Sequence, residues 1–193
     1  MKAGKRIFYW DTAVLLAWLM DERHWPTSVL EGIQDVVSEV ENGTAIMFTS
    51  SMTRSEIFRG RLSPEQKDKY AKLMLRRTVT EIAPDARVMD RASAIREYYA
   101  NEKPKRSIST PDAIHLATAI IYKADEFQTM DGLEQGGTKR TKLLALSGNV
   151  AGYNLPVVQP YPRNRPPAEL VSIEGPLFPK KDDKTNGKES KSK

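Results

Sequence analysis

Short apolar runs of strand length alternate along this chain with longer segments whose apolar residues follow a helical spacing. The strand-like runs lie at residues 6–10, 45–49, 78–83, 126–130 and 155–158. Helical segments separate these runs, and such an alternation is typical of a central, mostly parallel sheet covered by helices. The order of elements therefore predicts an α/β fold for the body of the chain.

Four acidic residues lie where such a sheet would bring them together. Asp11 and Asp131 each follow a predicted strand directly. Glu56 lies in the helical segment behind the second strand, and Asp112 stands near the start of the helical run at 110–123. In parallel α/β sheets the functional residues gather outside the carboxyl ends of the strands. The four carboxylates are therefore expected to share one edge of the sheet.

A cluster of carboxylates needs a cation. Two carboxylates 4 Å apart repel each other by roughly 4 kcal/mol at an effective dielectric constant of about 20. Mg²⁺ or Mn²⁺ would relieve this repulsion, because hard ions prefer oxygen ligands. A bound cation of this kind can activate water and stabilise charge on a phosphodiester under attack. The acids therefore favour metal-assisted phosphodiester hydrolysis.

Four segments carry motifs that occur together in one protein family: Phe8–Thr12, Thr49–Glu56, Thr110–Ala119 and Ala124–Asp131. In this order they resemble PIN-domain proteins, and most of all the VapC-type ribonuclease toxins of toxin–antitoxin pairs. The resemblance covers residues 5–160 and implies a three-layer α/β/α sandwich with a central, mostly parallel sheet. It also implies cleavage of single-stranded RNA at an acidic Mg²⁺ or Mn²⁺ site, frequent homodimers, and inhibition by a small antitoxin protein.

The resemblance assigns the catalytic residues by family match. The acids of the site, which are also its metal ligands, would be Asp11, Glu56, Asp112 and Asp131. Glu56 would either bind the metal or orient the attacking water, and the other three would bind or position the cation. Thr129 would assist, since its hydroxyl group can orient a carboxylate or a water molecule. The chain departs from the family pattern by a long segment, 132–154, after the last acid.

Composition divides the chain into a nuclease-like domain, 1–160, and a polar end. Residues 161–179 form a proline-rich extension with apolar residues able to dock on the body. Residues 180–193 are rich in lysine and are expected to be disordered. The net charge is +5, and more than half of it lies beyond residue 158. Attraction for polyanions must therefore come from local basic patches on the body.

Several classes of protein are disfavoured by the residue types present. The chain has no cysteine and only two histidines, which excludes disulfides and argues against a zinc site. Its longest apolar run, 13–20, is too short to cross a bilayer, and no signal peptide is visible. A cytoplasmic protein without membrane contact is expected.

Basic residues flank the predicted acidic centre. Arg54 precedes Glu56 by two positions, and Lys103, Lys105 and Arg106 precede Asp112. Side chains of this kind bind nucleic-acid phosphates. They are therefore the predicted RNA-binding residues of the site.

Three other functions remain open at this point. The first is a non-catalytic PIN-like module that binds RNA or protein. The second is an RNA-processing nuclease, or one acting on DNA, outside a toxin–antitoxin pair. The third is a structural interaction protein whose acids are ordinary surface groups. The last predicts that Mg²⁺ and Mn²⁺ have no effect on stability.

Overall fold

The structure is a computed structural model that describes residues 4–57, 62–132 and 141–167. The strands are β1 (Arg6–Trp10), β2 (Ala45–Ser50), β3 (Val79–Ile82), β4 (Glu126–Gln128) and β5 (Val157–Val158). The helices are α1 (Thr12–Met20), α2 (Thr27–Glu41), α3 (Met52–Ile57), α4 (Pro64–Met74), α5 (Ala86–Asn101) and α6 (Thr110–Ile121). The predicted lysine-rich tail and most of the extension lie outside the described residues.

The five strands form one parallel sheet in the order β3-β2-β1-β4-β5. The strand β1 is central, and its residue Tyr9 is opposite Phe48 on one side and Phe127 on the other. Because all five strands run the same way, their carboxyl ends lie at a single edge of the sheet. The segments that follow β1 and β4 start side by side at that edge, where the backbone N–H of Asp11 donates to the carbonyl of Gln128 (3.0 Å).

Helices cover both faces of the sheet, as the predicted three-layer α/β/α sandwich requires. Successive residues of a strand point to opposite faces, and β1 shows this directly. Phe8 and Trp10 pack with α1, α2 and α4, whereas Tyr9 packs with α5 and α6. All three β1 side chains are fully buried. The short helix α3 contributes Ile57 to the first of these two cores.

The chain after β5 crosses the outside of α2 at Gly32. A Cβ atom at this position would lie 2.2 Å from the backbone nitrogen of Tyr161, so only glycine permits the approach. Beyond it, the backbone N–H of Arg163 donates to Asp35 (2.9 Å). The described start of the predicted extension, 161–167, is therefore packed on the body of the domain.

The helices begin in different ways. The helix α6 is capped by the Ser109 side chain, which accepts the N–H of Asp112. Pro26 precedes α2 without any side-chain cap. The segment after the last predicted acid contains a 3₁₀ turn, Leu143–Leu146. Within the described residues, no helix has the length and apolar character needed to cross a membrane.

Candidate active site

Asp11 lies between β1 and α1, at the carboxyl edge of the sheet. One carboxylate oxygen caps α1 by accepting the backbone N–H of Thr12 (2.6 Å), and the other accepts the hydroxyl of Thr129 (2.6 Å). Burial raises the pKa of the Asp11 carboxyl, and the neighbouring Asp112 raises it further, although His115 and Thr129 act in the opposite direction. Asp11 is thus oriented by two donors and stands close to other negative charge.

Glu56 reaches the same edge from α3. One of its carboxylate oxygens accepts the hydroxyl of Thr12 and lies 3.1 Å from Nε2 of His115. The hydroxyl oxygen of Thr12 also lies 3.2 Å from that of Thr53, one turn before Glu56 on α3. The side chain of Glu56 is 27% exposed, so it is shielded yet open to a small ligand. Two neighbouring elements therefore hold this carboxylate beside Asp11.

His115 stands at the centre of the acidic residues. It lies one turn after Asp112 on α6, and only 1% of its surface is exposed. Burial alone would lower the pKa of His115, but its bond to Glu56 and the charges of Asp11 and Asp112 outweigh burial and raise the pKa. The charges of Asp11, Glu56 and Asp112 all act on His115, so the three carboxylates lie near one imidazole.

Asp131 is held differently from the other three acids. Its backbone N–H donates to the Thr129 hydroxyl (3.0 Å), which connects it to Asp11. Its carboxylate, however, accepts the backbone N–H of Leu143 (3.0 Å) and lies 3.2 Å from the Lys142 amine. The segment at 141–146 therefore folds back onto Asp131 and holds its side chain at the rim of the site.

The donor set has the chemistry of a site for a hard cation. The described residues contain no group of three or more His, Asp or Glu side chains already arranged to hold a metal ion. Three carboxylates nonetheless share one environment with a single imidazole, and Asp112 raises the pKa of Asp11. Oxygen donors with excess negative charge fit Mg²⁺ or Mn²⁺, which commonly keep several water ligands.

Comparison with known proteins identifies the domain. The profile of the PIN domain matches residues 8–132. The chain belongs to the PIN-domain family. The matched part begins within β1, contains β2 to β4 and all four acids of the predicted site, and ends immediately after Asp131.

Two solved structures resemble this PIN domain. One is VapBC2 from Rickettsia felis bound to a promoter DNA fragment, with 16% identity over 64% of this chain and 86% of that chain, and a TM-score of 0.48. The other is a toxin–antitoxin complex from Klebsiella pneumoniae, with 22% identity over 71% and 96% of the two chains and a TM-score of 0.45. The search of curated proteins gave no match.

The predicted RNA-binding residues of the PIN domain fall into two groups. Arg54 is bonded to Glu81 (2.5 Å), and Arg106 is bonded to Glu102 (2.5 Å) and stacks over the ring of Tyr99. Lys103 and Lys105 are exposed in the loop before α6, where neither pairs with a carboxylate of the described residues. The two lysines are therefore the more available partners for phosphate.

Several groups of the site were not predicted from the sequence. His115 was not among the predicted site residues, although its place three positions after Asp112 puts both on one face of α6. Thr12, which donates to Glu56, and Thr53, which contacts Thr12, gave no signal beyond being polar. Lys142 was not among the predicted RNA-binding residues.

Proposed function

We propose that this PIN domain is a metal-dependent endoribonuclease, and that it serves as the toxin of a type II toxin–antitoxin pair. The observation that carries the catalytic proposal is the meeting of Asp11 and Glu56 at Thr12, whose N–H donates to the first and whose hydroxyl donates to the second. His115, one turn after Asp112 on α6, contacts the same Glu56 carboxylate. Several carboxylates are costly to keep ionised together without a cation. Family membership and the open carboxyl edge of the sheet support the same function.

Asp11, Asp112 and Asp131 would hold Mg²⁺ or Mn²⁺, with Glu56 as a further ligand or as the group that orients water. A bound divalent ion supplies a Lewis acid for the phosphodiester and an acidified water molecule. Thr129 and the N–H of Thr12 fix both oxygens of Asp11 in advance. Such fixed orientation lowers the reorganisation needed to reach the transition state.

The RNA backbone would be held by basic side chains beside this edge. Lys103 and Lys105 are the proposed phosphate contacts, because Arg54 and Arg106 are already engaged with Glu81 and Glu102. The side chain of Lys142 is 31% exposed beside Asp131, so its amine could exchange its carboxylate partner for a phosphate. These contacts would position the substrate, whereas the carboxylates would carry the chemistry.

The biological role is proposed from the sequence motifs that most resemble VapC-type toxins. It predicts a small antitoxin encoded beside this gene and a homodimer in solution. Co-expression with the neighbouring small protein should relieve growth inhibition and abolish cleavage. An active nuclease without such a partner would instead indicate an RNA-processing enzyme outside a toxin–antitoxin pair.

Purified protein is expected to cut a mixed pool of single-stranded RNA when Mn²⁺ or Mg²⁺ is present. Removing the metal with EDTA, or replacing Asp112 with Asn, should reduce the rate about a thousandfold, since several kcal/mol of charge stabilisation would be lost. The measurement is the initial rate of cleavage on labelled RNA, resolved by gel electrophoresis.

The matched control is Asp90→Asn, which makes the same chemical change at an exposed position of α5. This variant should cleave like the wild type. Cleavage that survives EDTA, or that is equal in the Asp112 and Asp90 variants, would contradict the proposed metal chemistry. RNA binding without any turnover would instead favour the non-catalytic PIN-like module.

A further inference from the structure

A chain of buried hydrogen bonds runs from the core of the sheet to the acidic edge. The hydroxyl of Tyr9, in the middle of the sheet, lies 2.5 Å from Nδ1 of His115. The other ring nitrogen, Nε2, lies 3.1 Å from the carboxylate of Glu56. Tyr9 is fully buried and His115 is 1% exposed. His115 is therefore a buried imidazole whose two ring nitrogens both have partners, and one of these partners is an acid of the site.

The position of Tyr9 is fixed by its neighbours. Its ring stacks on Phe127 (4.9 Å between centroids, 9° between planes) and meets the edge of Phe48 (5.2 Å, 86°). Its hydroxyl oxygen also accepts the backbone N–H of Ser50 (3.0 Å). Both flanking rings belong to the adjacent strands β2 and β4. Tyr9 therefore provides a rigid reference point inside the sheet.

The donor and acceptor roles along this chain follow from the groups present. A tyrosine hydroxyl is protonated at neutral pH, so it can donate to Nδ1, which lies 2.5 Å away. A neutral imidazole that accepts at Nδ1 carries its proton on Nε2. A charged imidazole carries a proton on both nitrogens. In either form Nε2–H donates to Glu56. Only the other neutral tautomer, with its proton on Nδ1, would place the lone pair of Nε2 against the carboxylate.

We propose that Tyr9 and His115 are positioning residues for Glu56, holding its carboxylate toward the acidic centre through a fixed Nε2–H donor. The hydroxyl of Thr12, on α1, donates to the same Glu56 oxygen that lies near Nε2 of His115. Two donors on one oxygen restrict rotation of a side chain that has three flexible torsions. The inference rests on the proposed nuclease function for its kinetic consequence, but not for its structural content.

The structural content can be tested without metal or RNA. Only two histidines occur in the chain, and His24 is exposed, so ¹⁵N-labelling of histidine gives two rings that are easily told apart. Nitrogen shifts of His115 in the metal-free protein should show a protonated Nε2. An unprotonated Nε2 at His115 would overturn the proposal whether or not the protein cleaves RNA.

The kinetic consequence is tested with three variants of Tyr9 and His115. Tyr9→Phe removes one hydroxyl and keeps the ring, and His115→Leu removes the donor. His115→Gln retains an amide N–H that can reach Glu56. We expect kcat to fall about 10- to 100-fold in the first two variants, as for other groups that orient site ligands. The KM for RNA should stay unchanged, and His115→Gln should recover most of the rate.

The outcomes separate this inference from the proposed function. A wild-type protein that never cleaves RNA refutes the nuclease, and the nitrogen shifts then decide the positioning role alone. A wild type that cleaves, with folded Tyr9→Phe and His115→Leu variants equally fast, refutes positioning and leaves the nuclease in place. If His115 had only a structural role, its variants would have lower melting temperatures. His115→Gln would then restore kcat only as far as it restored folding.

Discussion

Asp11→Asn should abolish RNA cleavage and, in the absence of metal, raise the melting temperature of the protein. Asparagine is as good a helix cap as aspartate, and its amide oxygen can still accept the N–H of Thr12. The variant loses one negative charge next to Asp112. Cleavage should fall by about a thousandfold or more, because a lost ligand removes several kcal/mol of stabilisation. Initial rates and thermal unfolding with EDTA measure the two effects.

The gain in stability should depend on pH in a definite direction. Burial and then Asp112 raise the pKa of Asp11 above its value in the unfolded chain. A carboxyl group with a raised pKa in the folded state contributes its stability fully below the unfolded value of about 3.9. That contribution is lost as the pH rises through the raised value. The melting-temperature difference between Asp11→Asn and wild type should therefore grow from acidic pH toward neutrality.

Added metal should reverse the order of the two melting temperatures. A ligand that binds only the folded protein stabilises it by mass action, so Mn²⁺ should raise the melting temperature of wild type but not of Asp11→Asn. Asp90→Asn should behave like wild type in every arm. A lower melting temperature of Asp11→Asn at neutral pH without metal would show that the carboxylates are not crowded in the folded state.

The sheet could be predicted because its strands have simple local signals. The uninterrupted apolar run Ile7–Trp10 has the length and composition of a buried strand, and β1 occupies the predicted residues 6–10. Strand ends were less well defined. The run at 126–130 was predicted as a strand, but β4 ends at Gln128. The hydroxyl of the next residue, Thr129, bonds Asp11 and the N–H of Asp131 instead.

The candidate site was predictable only where placement followed from the order of elements. Asp11 and Asp112 stand at the starts of helices that face the carboxyl edge, a position that an alternating fold fixes. The contact of Asp131 with Lys142 and Leu143 joins residues more than ten positions apart, and no local pattern encodes it. The pairing of Arg106 with Glu102 was not predicted either, because Glu102 follows the last residue of α5 in an extended conformation and the helical i,i+4 rule does not apply to the loop that holds Arg106.

Glu126, the first residue of β4, is only five positions before Asp131 in the sequence, but the structure places it in a different set of contacts. Its side chain is 2% exposed and accepts the hydroxyl of Tyr161 (2.6 Å) and a guanidinium N–H of Arg6 (2.8 Å). Arg163 stacks over the rings of Phe8 and Tyr161, with a guanidinium nitrogen 3.8 Å from Glu126. Burial and then the bond to Glu126 raise the pKa of Tyr161 to about 12, so its hydroxyl remains a donor.

Glu126→Ala is therefore expected to be the most destabilising carboxylate substitution among the residues discussed. It would leave the buried guanidinium of Arg163 with Glu39 as its remaining ion-pair partner (3.3 Å). Removing one partner of a buried ion pair commonly costs about 3–5 kcal/mol. For a domain of this size that corresponds to a fall in melting temperature of roughly 10 °C. Urea unfolding and calorimetry of the two proteins measure the change.

Glu31→Ala is the matched control, because Glu31 pairs with another arginine of the same crossing segment, Arg165, on the surface (3.7 Å, 50% exposed). Exposed pairs contribute little, so this variant should unfold with the wild type. Glu126 lies at the end of β4 away from Thr129, so Glu126→Ala should still cleave RNA well below its melting temperature. A stable Glu126→Ala protein that has lost cleavage would mean that Glu126, rather than Asp131, belongs to the catalytic acids.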